Sequence, residues 1–425
     1  MISLLRKPKG TYDLFNEPLK EFKALKSHLE TLLERYGYQE IKTPIFEQSE
    51  VFHREGELSD MVQKETYNFK DKGDRSLTLR PEGTAGVIRA YIENKMYTNA
   101  LVKLYYFGPY FRYERPQKGR FRQFYQVGME AIGEKSPLLD AEIISLSYQI
   151  INSLGLKDVT IYLNSLGDRK AQMNYKDTLK AYFTPYKDEL CGDCQRRITE
   201  NPLRILDCKI DQNKKFVKNA PISRAFLNAE DLKYYHHLKE YLTAMNVSFK
   251  EDDKLVRGLD YYTQTVFEIK ADIEGFGAHN VLGGGGHYEN LVSDLGGPQR
   301  SGTGVAFGIE RLLEALKLAE ISLAKEEIID VYLIQMTEKA ALKALEVITS
   351  LRKENFTVYF DYYQRSFRAQ LKEALTLKAR YLIIIGEDEL ANNYFTLKNT
   401  KTEKQEKVTL EKMIRTIRKD DNTQK

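Results

Sequence analysis

The chain has 425 residues, 42% hydrophobic and 30% charged, the composition of folded domains rather than of disordered tracts. At this length two or three cores are expected. The net charge of +4 (65 basic against 61 acidic residues) is too small to announce nucleic-acid binding, but it falls in Asp330–Lys425, where 18 basic face 14 acidic side chains. Three cysteines argue against a disulfide scaffold and for a reducing compartment, the cytoplasm by default. The first ten residues lack the apolar core of a secretory leader, and no apolar run approaches the roughly 18 residues of a membrane span.

Phe22, Leu25, Leu29, Leu32, Leu33 and Tyr36 recur at helical spacing, which predicts a long amphipathic helix with Asn16 as N-cap, Pro18 in its first turn and Gly37 as its stop. The β-branched segment Ile41–Glu47 follows, broken by Pro44 and therefore expected as an edge or interface strand able to pair with a second copy of the chain. Residues 101–133 and 255–309 alternate like strands and predict one antiparallel sheet. Between them, about 165–250 is strongly charged and reads as helices, Ala225–Met245 for example, in a separate lobe. Near Ile328 a last unit begins: strand Val331–Gln335, helix Lys339–Glu354, strand Thr357–Phe360, helix Phe367–Leu377, strand Tyr381–Ile385. That order predicts a small α/β domain with parallel strands, ending in a frayed Lys419–Lys425. The expected fold class is α+β: a body over 1–325 containing the helical insertion, then an α/β domain over 328–425.

The segment Phe107–Glu130 reads as a hairpin. Strand alternation puts Arg112 and Glu114 on one face of its first strand, and Phe124, Gln126, Gly128 and Glu130 on one face of its second. Tyr125, Val127, Met129 and Ala131 fall on the other. Buried charge needs a partner, so the polar face suits a pocket for a charged ligand. A solvated sheet face would show the same alternation.

Phe111-Arg-Tyr-Glu114, a basic loop and Arg120-Phe-Arg-Gln-Phe124 together resemble motif 2 of class II aminoacyl-tRNA synthetases, and the continuation through Gln126 and Glu130 resembles the histidine-specific branch. The resemblance implies that Arg112 binds the ATP α-phosphate and the attacking carboxylate, that Glu114 reads adenine above Phe124, and that Arg120 joins the ATP site. It places the 115–120 loop, with Gln117 and Lys118, against the tRNA acceptor end, and gives Gln126 and Glu130 to the bound L-histidine. Leu255-Val-Arg-Gly-Leu-Asp-Tyr-Tyr-Thr-Gln-Thr-Val-Phe-Glu268 is similar to a peptide peculiar to histidyl-tRNA synthetases and is the most specific signal in the chain. By that similarity Arg257 approaches the α-phosphate from the side opposite Arg112 as the catalytic residue, and Tyr261 and Tyr262 line the imidazole pocket. Plain strand packing is the competing reading for either tyrosine in a chain with 28 of them.

Ser301–Arg311 resembles motif 3, a glycine-rich strand running into a helix near Ile309, so that Arg311 would hold the γ-phosphate. Glu82, Gly83 and Thr84 match the family segment that receives the substrate α-amino group; a turn with Thr84 as helix N-cap is the structural alternative. Gly128–Ser136 fails as a phosphate loop because Glu134 stands where lysine is needed, and Gly302-Thr-Gly304 lacks the third glycine of a dinucleotide fingerprint. Magnesium is expected with ATP, without assignable ligands. Cys191-Gly-Asp-Cys194 and Cys208 lack a fourth ligand unless His236 or His237 supplies it, so reduced thiols and no structural metal are expected. Where the family has Gly-Gly-Gly-Arg-Tyr-(Asp or Asn)-Gly, this chain has Gly284-Gly-Gly-His287-Tyr288-Glu289-Asn290, which keeps Tyr288 for the histidine pocket but alters the loop beside it.

The resemblance covers about Pro8 to Ile417, with motif 1 near 18–47, motif 2 near 103–132, motif 3 near 301–318 and an anticodon-binding domain at the C-terminus. It implies a homodimeric enzyme that uses ATP to activate histidine and load it onto histidine tRNA, with no membrane association. A synthetase-like regulatory subunit that binds without aminoacylating is the main alternative; such relatives typically lack the anticodon domain. A synthetase for threonine, proline or glycine does not account for the peptide at 255–268.

Overall fold

The computed structural model describes residues 5–54, 59–114, 119–277, 280–325 and 329–422. It divides into two compact units, Met1–Ala324 and Lys325–Lys425. The first contributes strands β1 (Gln39–Glu40), β2 (Phe46–Gln48), β3 (Tyr67–Lys70), β4 (Ser76–Leu79), β5 (Val102–Phe111), β6 (Gln123–Gly133), β7 (Val159–Ser165), β8 (Phe249–Glu251), β9 (Thr263–Ala271), β10 (Val281–Tyr288) and β11 (Ser301–Gly308). The second contributes β12 (Val331–Gln335), β13 (Val358–Phe360), β14 (Tyr381–Ile385), β15 (Phe395–Asn399) and β16 (Gln405–Val408).

The main sheet has eight strands in the order β1-β5-β6-β11-β10-β9-β7-β8. Its six central strands are antiparallel, while the short edges β1 and β8 pair parallel to β5 and β7. One face is packed by helices. Leu25, Leu29 and Leu33 of helix Asn16–Arg35 meet Val127, Met129 and Ala131 of β6 and Ile144 and Ile151 of helix Pro137–Ser153 in the largest core cluster. The other face of β6, Phe124 through Glu130, is left to the site.

Several expectations change here. The N-cap of the first helix is Phe15, without a side-chain cap bond, and Asn16 is already helical; Gly37 does take positive φ just beyond the end. In the motif 1 segment Pro44 falls between β1 and β2, so the chain leaves the edge of the main sheet and pairs with β4 of a separate three-stranded sheet. The insertion is not a lobe of its own. Helix Ala229–Ala244 sends Tyr235, Leu238 and Leu242 into the main core, while residues 166–220 share a second cluster with Val256, Tyr262 and Val266 of the main body. Amphipathic spacing shows which stripe of a helix is apolar but not which partner covers it.

The C-terminal unit has a five-stranded sheet in the order β13-β12-β14-β15-β16. The first three strands are parallel as expected, but β15 and β16 add antiparallel, and helix Leu410–Asn422 follows. Residues 423–425 of the expected frayed end lie outside the described residues. Among the described residues no helix is long and apolar enough to cross a membrane.

Candidate active site

A cavity of about 330 Å³ opens on the polar face of the sheet. Four sequence-distant segments line it: Glu82–Thr84; Arg112, Glu114, Arg120, Phe124 and Gln126; Arg257, Tyr261 and Tyr262; and Arg311. Glu130 and Tyr288 do not line it. They lie buried just behind, where Glu130 Oε1 accepts from Thr84 Oγ1 at 2.7 Å and Tyr106 OH at 3.2 Å, and Oε2 accepts from Tyr288 OH at 3.0 Å. Burial raises the Glu130 carboxyl to about 8, against the pull of those hydroxyls. Gln117 and Lys118 lie outside the described residues.

The glycines of β11 have a steric reason. A Cβ on Gly304 would sit 1.8 Å from Glu130 Oε2, and one on Gly302 would sit 2.3 Å from the Tyr288 ring. The register places Gly304 opposite Glu130 and Gly302 opposite Tyr288, so bare backbone makes room for both side chains. On the far side of the cavity, Gly284 leaves space for Arg257, whose Nη1 would be 2.6 Å from an added Cβ.

At the start of helix Thr84–Glu93 the roles are exchanged relative to the structural alternative. Glu82 is the capping side chain: Oε2 accepts from Thr84 N at 2.6 Å and Oε1 from Ala85 N at 2.9 Å. The Thr84 hydroxyl is thereby free of capping and turns to Glu130. Burial raises the Glu82 carboxyl despite these two backbone donors.

The cavity is rich in guanidinium. Arg112 donates from Nε to Pro81 O at 2.8 Å and lies 5.2 Å from the Phe124 ring centre. Arg120 Nη1 pairs with Glu114 Oε2 at 3.0 Å. Arg257 is held by Glu268 at 2.5 Å, with its Nε buried and lacking a hydrogen-bond partner among the described residues. Arg311 donates to Val281 O at 2.6 Å, and burial together with the charges of Arg120 and Arg112 pushes it down to about 10. A cation depressed by its neighbours in a shared hollow is stabilised by a polyanion placed among them.

Several wall residues carried no sequence signal. Arg204 and Asp207 of the insertion line the cavity and pair with each other at 2.5 Å. Lys209 beside them is pushed down by burial and by Arg120 and Arg311, so it faces the same charges. Glu268 and Glu310 closed or crossed motifs already singled out, but only their contacts assign them: Glu268 orients Arg257, and Glu310 Oε1 accepts from Tyr125 N at 2.8 Å. His287 faces away from the cavity. Its Nδ1 lies 3.0 Å from Asp140 Oδ1, and Tyr234 OH donates to Asp140 Oδ2 at 3.0 Å. The departure from the family pattern at 287 thus changes the helix-packed face of β10, not the face that carries Tyr288.

A family model described as histidyl-tRNA synthetase matches residues 10–168 and 204–312, and an anticodon-binding-domain model matches 330–420. The chain is 52% identical over 413 residues to the histidine–tRNA ligase of Acholeplasma laidlawii, covering 97% of this chain and 98% of that one. It is 45% identical to the histidine–tRNA ligase of Listeria monocytogenes, with 97% and 99% covered. Among solved structures it resembles apo histidyl-tRNA synthetase of S. aureus, with TM-score 0.82, 40% identity, and 97% and 100% covered. The arginine-lined cavity, the peptide at 255–268 and these full-length similarities agree: the chain belongs to the histidyl-tRNA synthetase family.

Proposed function

We propose that the chain activates L-histidine with ATP and then transfers it to the 3′ end of histidine tRNA. The observation that carries this reading is the convergence of Arg112, Arg257 and Arg311 on one cavity, with the Glu130 carboxyl buried behind its wall at Thr84. In the first step a histidine carboxylate oxygen attacks the α-phosphorus of ATP, the new C–O–P linkage forms as the α–β P–O bond breaks, and pyrophosphate leaves. Charge builds on the α-phosphoryl oxygens. Arg112 and Arg257, each fixed by a partner within the protein, stabilise it without reorganising. Arg311 and Arg120 take the outer phosphates, and Phe124 with Glu114 takes the adenine. In the second step a terminal ribose hydroxyl of the tRNA attacks the acyl carbon and AMP departs.

Glu130, approached through Thr84 and Tyr106, accepts the imidazole N–H, with Gln126, Tyr261, Tyr262 and Tyr288 shaping the pocket. Glu82, which caps the helix that begins at Thr84, lines the cavity together with Gly83 and Thr84, and this segment meets the α-amino end. Magnesium fits this cavity as a companion of ATP: Glu114 and Glu268 offer oxygen donors, and the ion usually takes one or two carboxylates besides phosphate and water. There it would neutralise phosphate charge.

The regulatory-subunit alternative is disfavoured by the match to an anticodon-binding domain over 330–420. A homodimer is supported by the exposed Ile45, Phe46 and Phe69 around β2 and β3, the apolar surface of the motif 1 region. Light scattering at micromolar concentration checks it, and a monomeric mass would count against it. We place the enzyme in the cytoplasm, consistent with three cysteines that form no disulfide with one another. Histidine-dependent exchange of pyrophosphate into ATP, followed by charging of tRNA with the same preparation, tests the function; correctly folded protein that binds histidine but exchanges nothing would favour the regulatory role.

A further inference from the structure

Cys191 and Cys194 stand at the start of helix Gly192–Glu200, and Cys208 and Asp211 lie in the turns that follow the short helix Pro202–Ile205. The sequence offered only His236 or His237 as a fourth ligand beside the cysteines. Neither belongs to the cluster; their helix packs elsewhere, with His236 exposed, and Asp211 takes the fourth place. One ligand atom from each of Cys191, Cys194, Cys208 and Asp211 lies within 4.8 Å of all the others.

The separations fit a metal better than a disulfide. Cys191 Sγ and Cys208 Sγ are 3.8 Å apart, as are Cys208 Sγ and Asp211 Oδ2. A tetrahedral ion with bonds of about 2.3 Å to sulfur sets its ligands about 3.8 Å apart, whereas a disulfide needs about 2.05 Å. Thiols alone would pack as small apolar groups, but apolar packing does not account for a carboxylate in their midst whose side chain is 0% exposed. We propose that Cys191, Cys194, Cys208 and Asp211 bind one zinc ion in a closed, structural site.

The surroundings suit that assignment. Three thiolates and a carboxylate carry −4, zinc returns +2, and Arg197, 3.8 Å from Cys194 Sγ, and Lys214, 2.8 Å from Asp211 Oδ1, supply the remaining +2. The Cys191 N–H donates to Asp211 Oδ2 at 3.0 Å and orients the carboxylate. Soft sulfur ligands in tetrahedral order select zinc over magnesium or calcium. The site has a consequence for the cavity. It ties the helix start at Cys191–Cys194 to the segment 204–211, which carries Arg204 and Asp207 on the cavity wall. The ion therefore clips the insertion against the triphosphate region. Residues 169–203, including Cys191 and Cys194, fall outside the family model's match.

The test is the metal content of the full chain, purified without an affinity tag under reducing conditions from zinc-containing medium. About one zinc per chain is expected, released by a mercurial that blocks thiols. Exchange with cobalt(II) should give intense tetrahedral d–d bands and a sulfur-to-cobalt charge-transfer band. Cys208→Ser and Asp211→Asn should each bind zinc at least about tenfold more weakly, and the metal-free chain should melt earlier and show a raised KM for ATP. Should Cys208→Ser fail to fold, the cobalt spectrum of the unaltered chain still decides. Protein free of metal whose three thiols all titrate, or a Cys191–Cys208 disulfide in the protein as isolated, would overturn the assignment.

Discussion

Replacing Arg257 with alanine removes one of the two guanidiniums that we propose flank the reacting phosphorus. The side chain is only 19% exposed and is held at 2.5 Å by Glu268, so its charge acts in a poorly screened hollow. Two unit charges 4 Å apart at an effective dielectric of about 20 interact by roughly 4 kcal/mol. Only the part of that energy that grows between ground and transition state affects turnover. Loss of one preorganised donor typically costs about 10²–10³ in rate, and we expect a fall of about 10² or more in histidine-dependent ATP–pyrophosphate exchange. Arg112, Arg120 and Arg311 still line the cavity, so ATP affinity should change by less than about threefold. Glu268 is not stranded, since Lys270 Nζ lies 3.4 Å from its other oxygen, and the fold should survive. The assay pairs exchange rates at saturating histidine with ATP affinity by calorimetry. Turnover within about threefold of the unaltered chain would remove Arg257 from the transition state.

Gly304→Ala should be worse for histidine than for ATP: the new methyl must displace the Glu130 carboxylate, costing about 1–3 kcal/mol of stability and raising KM for histidine, and unchanged KM would refute the steric account. Glu130→Gln keeps the shape but replaces one carboxyl oxygen with an amide NH2 that cannot accept the imidazole N–H, so KM for histidine should rise by about 10-fold or more with little change for ATP, measured by exchange. The same carboxyl makes stability depend on pH. Its pKa rises on folding from 4.5 to about 8, so the folded chain holds a proton that the unfolded chain releases; this contribution is full below 4.5 and declines as pH rises towards 8. Glu82 shifts in the same direction, so the test is the difference in melting temperature between the unaltered chain and Glu130→Gln across that window; parallel curves would show the shift to be absent. His287→Ala should destabilise by about 1–3 kcal/mol by breaking a buried pair with Asp140, yet leave KM for histidine within about twofold because the ring faces away from the cavity.

Local pattern was enough to expect the two faces of β6 and the change from strand to helix at Ile309, because alternation and helical spacing are properties of neighbouring residues. The motif peptides likewise carried Arg112, Arg257 and Arg311 as residues of one site. What covers each face was not local. Helix Ala229–Ala244 reads as part of a lobe until its apolar stripe is seen against helix Pro137–Ser153. Thr84 could be substrate ligand or helix N-cap, and the choice depends on Glu130, 46 residues further along, drawing the threonine hydroxyl away from the helix start. His287 and Tyr288 are adjacent in sequence and opposite in space, one among helices and one against Glu130. Asp211 was one acidic residue among 61 until folding set it beside three sulfurs. Periodicity determined which residues share a surface; only tertiary packing decided what each surface meets, because those contacts join segments that no local rule connects.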